Sequence, residues 1–375
     1  MSNFCTRDPV HGWIKLPSEV IPIINSSLFQ RLYHIKQTAS TELVYTGATH
    51  TRGAHSLGAA YLAKLYAQHL FPKDKEKEIL LVCCALLHDI GHGPFSHIWD
   101  SAIYSEIYSD ETGEGLKRGG HDQHRFKIVE YMKDIIDPII YHNKILNVWR
   151  QSTNENTMLN TIVQGPLGAD RMDFTLRDAY YTGTSHFGTI ANERIIYNSL
   201  VIDQKLYYRC KAMGDITNAL RARMYMYRKV YLHPTAVAGS ILLEKAIKHG
   251  KKDLLFVEKT FDLRTFLYLT DAILYEMAST KKCHLKCQRY SNRYIKRILP
   301  KLIWEGVDEE EIPELEKGHI LKKSVVKDYS LEKLDNMIGI WNKKECKIYT
   351  FSEALEKNKY GPLDTHITLY RVYSM

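Results

Sequence analysis

Apolar residues recur at helical spacing through most of this chain. Leu57, Tyr61, Leu62 and Leu65 share one helical face, Phe126, Val129 and Met132 another, and the pattern returns from Leu220 through Tyr231. The densest run, ILLVCCALL from Ile79 to Leu87, is bordered by Glu76, Lys77 and Glu78 before it and by Gly91 and Gly93 after it. Periodicity alone leaves a central strand open there, but the punctuation favours a buried helix closed by glycine. Strand character is sparse, with short strands expected near residues 43–46 and 206–210 and in the C-terminal ITLYRVY. The expected architecture is therefore mostly α with a few short strands. Residues 109–120 (SDETGEGLKRGG) and 250–253 are expected loops, the first either a flap beside a site or a plain surface loop.

Composition narrows the class. With 375 residues, 45% hydrophobic and 25% charged, the chain can bury a large core in one domain or two. Its N-terminus, MSNFCTRDPVHGW, has no charged segment followed by an apolar stretch, and no window resembles a membrane span. The expectation is an intracellular protein, cytoplasmic or nuclear, neither secreted nor membrane-bound. Seven scattered cysteines do not form a disulfide framework and fit a reducing compartment. Cys283 and Cys287 flank His284 as in a zinc knuckle, but no second ligand pair follows, so the spacing reads as coincidence.

The net charge of +8 favours anionic partners. It is unevenly spread: residues 281–301 hold eight Lys/Arg and no acid, and residues 305–316 hold seven acids and no base. A solvated helix face followed by an acidic loop is the preferred reading, and a surface for nucleotide or single-stranded nucleic acid is the sharper one.

The chemistry concentrates in ALLHDIGHGPFSH. Residues 88–100 hold three histidines, His88, His92 and His97, and two aspartates, Asp89 and Asp100. An adjacent imidazole and carboxylate, His88 and Asp89, can grip one divalent cation, and with His55 and Asp170 at the same point the chain has a hydrolytic metal site. Such donors suit Fe, Mn, Mg, Co or Zn, with one ion or two. Asp170 also reads as a helix N-cap, and Asp173 with Arg177 most simply as an i,i+4 surface pair.

The ordered set His55, His88-Asp89, Asp170 resembles the H…HD…D signature of the HD-domain metal-dependent phosphohydrolases. DPVHGWIKL, FQRLYHIKQ, GATHTRGAHSLG, LLHDIGHGPFSHIWD and QGPLGADRMDF make the chain, from about Asp8 to Gly306, similar to their deoxynucleoside triphosphate triphosphohydrolase branch. That branch is typified by the vertebrate sterile-alpha-motif and HD-domain protein, here expected as a catalytic core without the sterile-alpha-motif domain. The resemblance implies an HD core over residues 1–250, and 251–375 reads as a smaller C-terminal lobe packed on it. It implies cleavage of a dNTP to deoxynucleoside and inorganic triphosphate by metal-activated water attacking the innermost phosphorus, in a homo-oligomer, dimer or tetramer. The metal ligands would be His55, His88, Asp89 and Asp170. Arg52, Arg171 and Arg223 would hold phosphate, and His92 and His121 would contact the phosphate nearest the sugar. His97, paired with Asp100, would protonate the departing 5′ oxygen. Tyr231 would pack on the deoxyribose, and Gln37 and Asp178 would read its 3′-hydroxyl.

Five site positions depart from the family pattern: Phe174 replaces a tyrosine, Tyr227 a histidine, Leu232 a glutamine, Thr38 a leucine and Arg171 a phosphate-binding lysine. Asn25 and Tyr33 stand where the vertebrate relative has an aspartate and an arginine that recognise an activating guanine nucleotide, so strict GTP-dependent activation is expected to be absent or altered. Two other functions stay open: hydrolysis of another nucleotide, and single-stranded nucleic-acid binding on the same fold with little turnover.

Overall fold

The computed structural model describes residues 3–108, 120–327, 331–361, 363 and 366–375. The expected loop at 109–120 lies outside these residues, apart from Gly120. The helix expected over ILLVCCALL runs Lys75–Leu87, and its start is fixed by the Asp74 side chain, which accepts the Lys77 N–H at 2.9 Å. It does not close on a left-handed glycine: the capping residue is His88, in ordinary right-handed geometry (φ −59°, ψ −34°). Gly91 and Gly93 serve close approach instead. A Cβ on Gly91 would meet the His121 carbonyl oxygen at 2.1 Å, and one on Gly93 would meet the Trp99 ring at 2.2 Å.

The Lys75–Leu87 helix and the helix Ala169–Tyr181 both pack against the helix Arg52–Leu70, whose Ala59, Ala60, Leu62, Ala63 and Tyr66 are buried. Their apolar faces belong to one core that continues through Phe256, Phe266 and Leu269 to Leu355. Burial is thus continuous across residue 250. Arg31 reinforces this junction: its guanidinium, buried and held to a pKa of about 10 by that burial, donates to the carbonyls of Phe266, His92 and Leu269 at 2.6–2.9 Å. Asp271 adds two ties, accepting the N–H of Lys36 at 2.9 Å and of Phe95 at 2.7 Å.

Strands are few, as expected. β1 (Phe4–Asp8) and β2 (Gly12–Leu16) form a hairpin, and its turn is tied by Asp8, which accepts the N–H groups of Val10 and His11 at 2.9 Å. β3 (Ser199–Ile202) and β4 (Lys205–Arg209) join β7 (Gly339–Asn342) and β8 (Lys347–Tyr349) in a four-stranded sheet with β4 and β7 parallel. The C-terminal strand β9 (His366–Ser374) is the middle of three, between β5 (Lys301–Gly306) and β6 (His319–Lys327). The strand expected at 43–46 is a correction. Ala39–Leu43 is a short 3₁₀ helix, since Ser40 turns inward to donate to the Ala236 carbonyl at 2.7 Å. The basic segment contributes the helix Leu285–Ile295, with Lys286, Arg289, Lys296 and Arg297 exposed in and just after it. Among the described residues, no helix is long and apolar enough to cross a membrane.

Candidate metal centre and substrate cleft

Three packed helices bring four side chains to one point. His55 lies in the first turn of Arg52–Leu70, His88 and Asp89 follow the end of Lys75–Leu87, and Asp170 lies in the first turn of Ala169–Tyr181. Gly168 is the N-cap of that third helix, so Asp170 is not spent on capping. His55 Nε2 stands 3.1 Å from His88 Nε2, 3.2 Å from Asp170 Oδ1 and 3.7 Å from Asp89 Oδ2. His88 Nε2 stands 3.3 Å from Asp89 Oδ1 and 3.4 Å from Asp170 Oδ1. Donors about 2.1 Å from one ion in tetrahedral or octahedral array lie about 3.0–3.4 Å from one another, close to most of these spacings.

The tautomers sharpen the fit. His88 Nδ1 donates to the Ala85 carbonyl at 2.6 Å and His55 Nδ1 to Asp173 Oδ2 at 2.7 Å, so each presents an Nε2 lone pair to the other. Two buried lone pairs 3.1 Å apart, with two carboxylates beside them, call for a positive charge between them. Burial opposes charge on His55, yet Asp170, Asp173 and Asp89 outweigh it and push its pKa up to about 10. Burial likewise opposes charge on Asp170, but His88 and His55 hold it well below the carboxylate range. A divalent cation at this point would supply what a trapped proton would otherwise have to.

Behind the cluster stands a second layer, and here the surface-pair reading of Asp173 and Arg177 is overturned. Both are fully buried. Asp173 accepts from His55 Nδ1, from His11 Nε2 at 2.6 Å, and from Arg177 Nε and Nη2 at 2.9 and 3.0 Å; Arg177 Nη1 reaches Asp8 at 2.8 Å. The helices approach so closely that a Cβ on Gly58 would meet Asp173 Oδ1 at 1.9 Å. Asp173 therefore fixes the tautomer and orientation of His55. Its signal was present in DPVHG and in the i,i+4 spacing, but which face of the helix is buried depends on its neighbours.

In front of the cluster lies a cleft of about 480 Å³. Gln37, Arg52, Asp89, His92, His97, His121, Asp170, Arg171, Asp178, Arg223 and Tyr231 line it, while His55 and His88 lie beneath its surface. Arg52 is clamped by Asp89 at 2.5 Å and by the Ser96 hydroxyl at 2.7 Å, so it orients a carboxylate as well as facing the cleft. The turn carrying Ser96 is strained, with Phe95 and Ser96 at φ +56° and +59°. Asp100 is shared: His97 Nδ1 lies 3.0 Å and His121 Nδ1 2.7 Å from its Oδ2, and the His121 N–H donates to its Oδ1 at 3.1 Å. His97 is the exposed partner and His121 the half-buried one, stacked on His92 at 3.7 Å. Burial, reinforced by Arg52 and His121, holds the His92 pKa well below its ordinary value, whereas Asp100 overcomes burial to raise that of His121. Asp100 itself is held low by His121 and His97 against its own burial.

At the cleft's other functional group, Asp178 is engaged on both oxygens, by His50 Nε2 at 2.6 Å and the Tyr231 hydroxyl at 2.5 Å. His50 was not anticipated from sequence. Arg223 lies over the rings of Phe174 and Tyr227 at 5.6 and 5.9 Å, and Arg171 donates to the Gly165 carbonyl at 2.9 Å.

Residues 52–174 match the HD domain family. An uncharacterized protein of Methanocaldococcus jannaschii is 32% identical over 322 residues, covering 83% of this chain and 65% of that protein. The deoxynucleoside triphosphate triphosphohydrolase SAMHD1 homolog of Dictyostelium discoideum is 26% identical over 325 residues, covering 82% of this chain and 60% of that protein. The chain thus spans less than two thirds of either relative's length. A crystal structure of a phosphohydrolase from Bacteroides thetaiotaomicron shares the fold with a TM-score of 0.81 at 24% identity, each chain fully covered. A hypothetical protein from Aquifex aeolicus gives 0.79 at 25%, covering 99% of this chain and 96% of its own.

Proposed function

We propose that this chain, whose residues 52–174 match the HD domain family, is a metal-dependent phosphohydrolase that cleaves a deoxynucleoside triphosphate to the deoxynucleoside and inorganic triphosphate. The observation that carries the reading is that one cleft joins the His55, His88, Asp89 and Asp170 cluster to three arginines, Arg52, Arg171 and Arg223, and to the Tyr231–Asp178 pair. Three cations exceed what a monophosphate needs. His55, His88, Asp89 and Asp170 would hold a divalent ion such as Fe, Mn, Mg or Zn, which would make water more acidic there and offset charge on phosphoryl oxygen.

The chain's own residues supply the rest. Arg171 and Arg223 hold the phosphates, and Arg52 does so while keeping Asp89 ionised and directed. His97 serves as the acid: its Nδ1 is committed to Asp100, which leaves Nε2 to carry the proton for the departing 5′ oxygen at the cleft mouth. His121, bonded to the same carboxylate, and neutral His92 stacked on it shape the phosphate pocket. Tyr231, pinned by Asp178, stands against the sugar, where a 2′-hydroxyl would crowd it. A homo-oligomer is part of this reading.

The test is to incubate the protein with each dNTP and each rNTP in Mn²⁺ and resolve the products. Release of inorganic triphosphate from dNTPs, lost in His88→Ala and Asp89→Ala, is expected; release of orthophosphate or pyrophosphate instead would overturn it. The exposed cations of Leu285–Ile295 favour one further reading, a single-stranded nucleic-acid surface. Steeply salt-dependent binding of an oligonucleotide by a protein without dNTP turnover would establish it.

A further inference from the structure

The stretch Gln37, Thr38, Ala39 lines the cleft and differs from its surroundings in how its polar atoms are used. The neighbouring hydroxyls are satisfied within the protein: Ser40 and Ser240 lie 2.7 Å apart and both donate to the Ala236 carbonyl, at 2.7 and 3.1 Å. Thr38 Oγ1 and Gln37 Oε1, by contrast, are buried without a hydrogen-bond partner among the described residues. Thr38 precedes the 3₁₀ helix Ala39–Leu43 but does not cap it with its side chain. The next residue, Ala39, sits at φ +47°, a conformation an alanine keeps only where its surroundings impose it. A buried hydroxyl without a partner, on a residue that lines a cavity beside strained backbone, marks a place where a ligand atom completes the bonding.

The chemistry of the wall says which part of the ligand. Gln37 is tied through its carbonyl to Arg52 Nη2 at 3.4 Å, so the chain runs from a cationic, phosphate-facing residue to Thr38 and then into Ala39, Ser40, Ala236 and Ser240. Those side chains are small and uncharged, which suits a flat heterocycle and not a phosphate. A threonine hydroxyl can donate and accept, as the edge of a nucleobase requires. We propose that Thr38 Oγ1 hydrogen-bonds the nucleobase of the substrate and sets the order of preference among the dNTPs. This rests on the dNTP reading above.

The experiment compares kcat/KM for all four dNTPs in the wild type, Thr38→Val, which is nearly isosteric without the hydroxyl, and Thr38→Ser, which keeps it. The expected result is that Thr38→Val lowers kcat/KM for the best substrate roughly tenfold, the order of one neutral hydrogen bond, and much less for the poorest, compressing the ranking, while Thr38→Ser preserves it. An unchanged ranking in Thr38→Val, or an equal loss on all four dNTPs, overturns the proposal and leaves the dNTP reading intact. Absence of dNTP turnover by the wild type overturns both. Thermal unfolding of each variant identifies one that has merely failed to fold, and Thr38→Ser then carries the test through an untouched ranking.

Discussion

Replacing Asp173 by asparagine distinguishes sharply between an exposed and a buried role. An exposed i,i+4 pair with Arg177 would stabilise the fold by about 0.3–0.5 kcal/mol. In the structure, Asp173 is fully buried and accepts four hydrogen bonds, from His55, His11 and two nitrogens of Arg177. The substitution keeps the shape but removes the charge and leaves one carbonyl oxygen to serve three donor groups, while Arg177, itself fully buried, keeps one carboxylate partner among the described residues, Asp8. Breaking a buried pair on one side costs about 3–5 kcal/mol. Loss of the carboxylate behind a metal-binding histidine weakens the metal by about 10–100-fold. Two measurements check this: denaturant unfolding of metal-free protein at neutral pH, and Mn²⁺ content after equilibration against graded free Mn²⁺. A loss below about 1 kcal/mol together with Mn²⁺ affinity within threefold of wild type would refute the argument that Asp173 holds His55 in place.

Three further outcomes are expected. His124 is buried, bonded to the Tyr108 hydroxyl, and burial with help from Arg31 and Lys127 lowers its pKa from 6.5 to about 3. It stays neutral in the fold while the unfolded chain takes a proton below about pH 6.5, so stability is lost as pH falls from there toward 3, by about 1.4 kcal/mol at pH 5.5. His124→Gln should flatten that part of a stability–pH profile. Arg31→Ala removes the donor to the buried carbonyls of His92 and Leu269, while that of Phe266 keeps the Leu269 N–H, and should cost about 2–6 kcal/mol and lower kcat, as unfolding and turnover assays would show. With Asn25 exposed and the Tyr33 ring close under Gly53, GTP should not switch on an otherwise silent enzyme; strong, saturable activation in a dNTP hydrolysis assay would contradict this.

Much of the site was legible because its chemistry is local. His88 and Asp89 are adjacent, His92, His97 and Asp100 follow within eleven residues, and the punctuation of the apolar run before them favours a buried helix end. His55 and Asp170 could be named from motif order, and the helical class followed from spacing. The three-dimensional arrangement decided the rest, because each remaining question concerns which distant residue faces which. Asp173 became a buried partner of His55 only because Gly58 lets two helices come together. Asp100 is shared with His121, 21 residues away, and not held by His97 alone. Asp178 is clamped by His50 and Tyr231 from two other parts of the chain. Residues 43–46 turn instead of extending because Ser40 finds a carbonyl 196 positions on. Residue type and spacing determine which donors the chain possesses; the packing of one helix against another determines which remain for a metal or a substrate, since a hydrogen bond made within the protein is one no ligand receives.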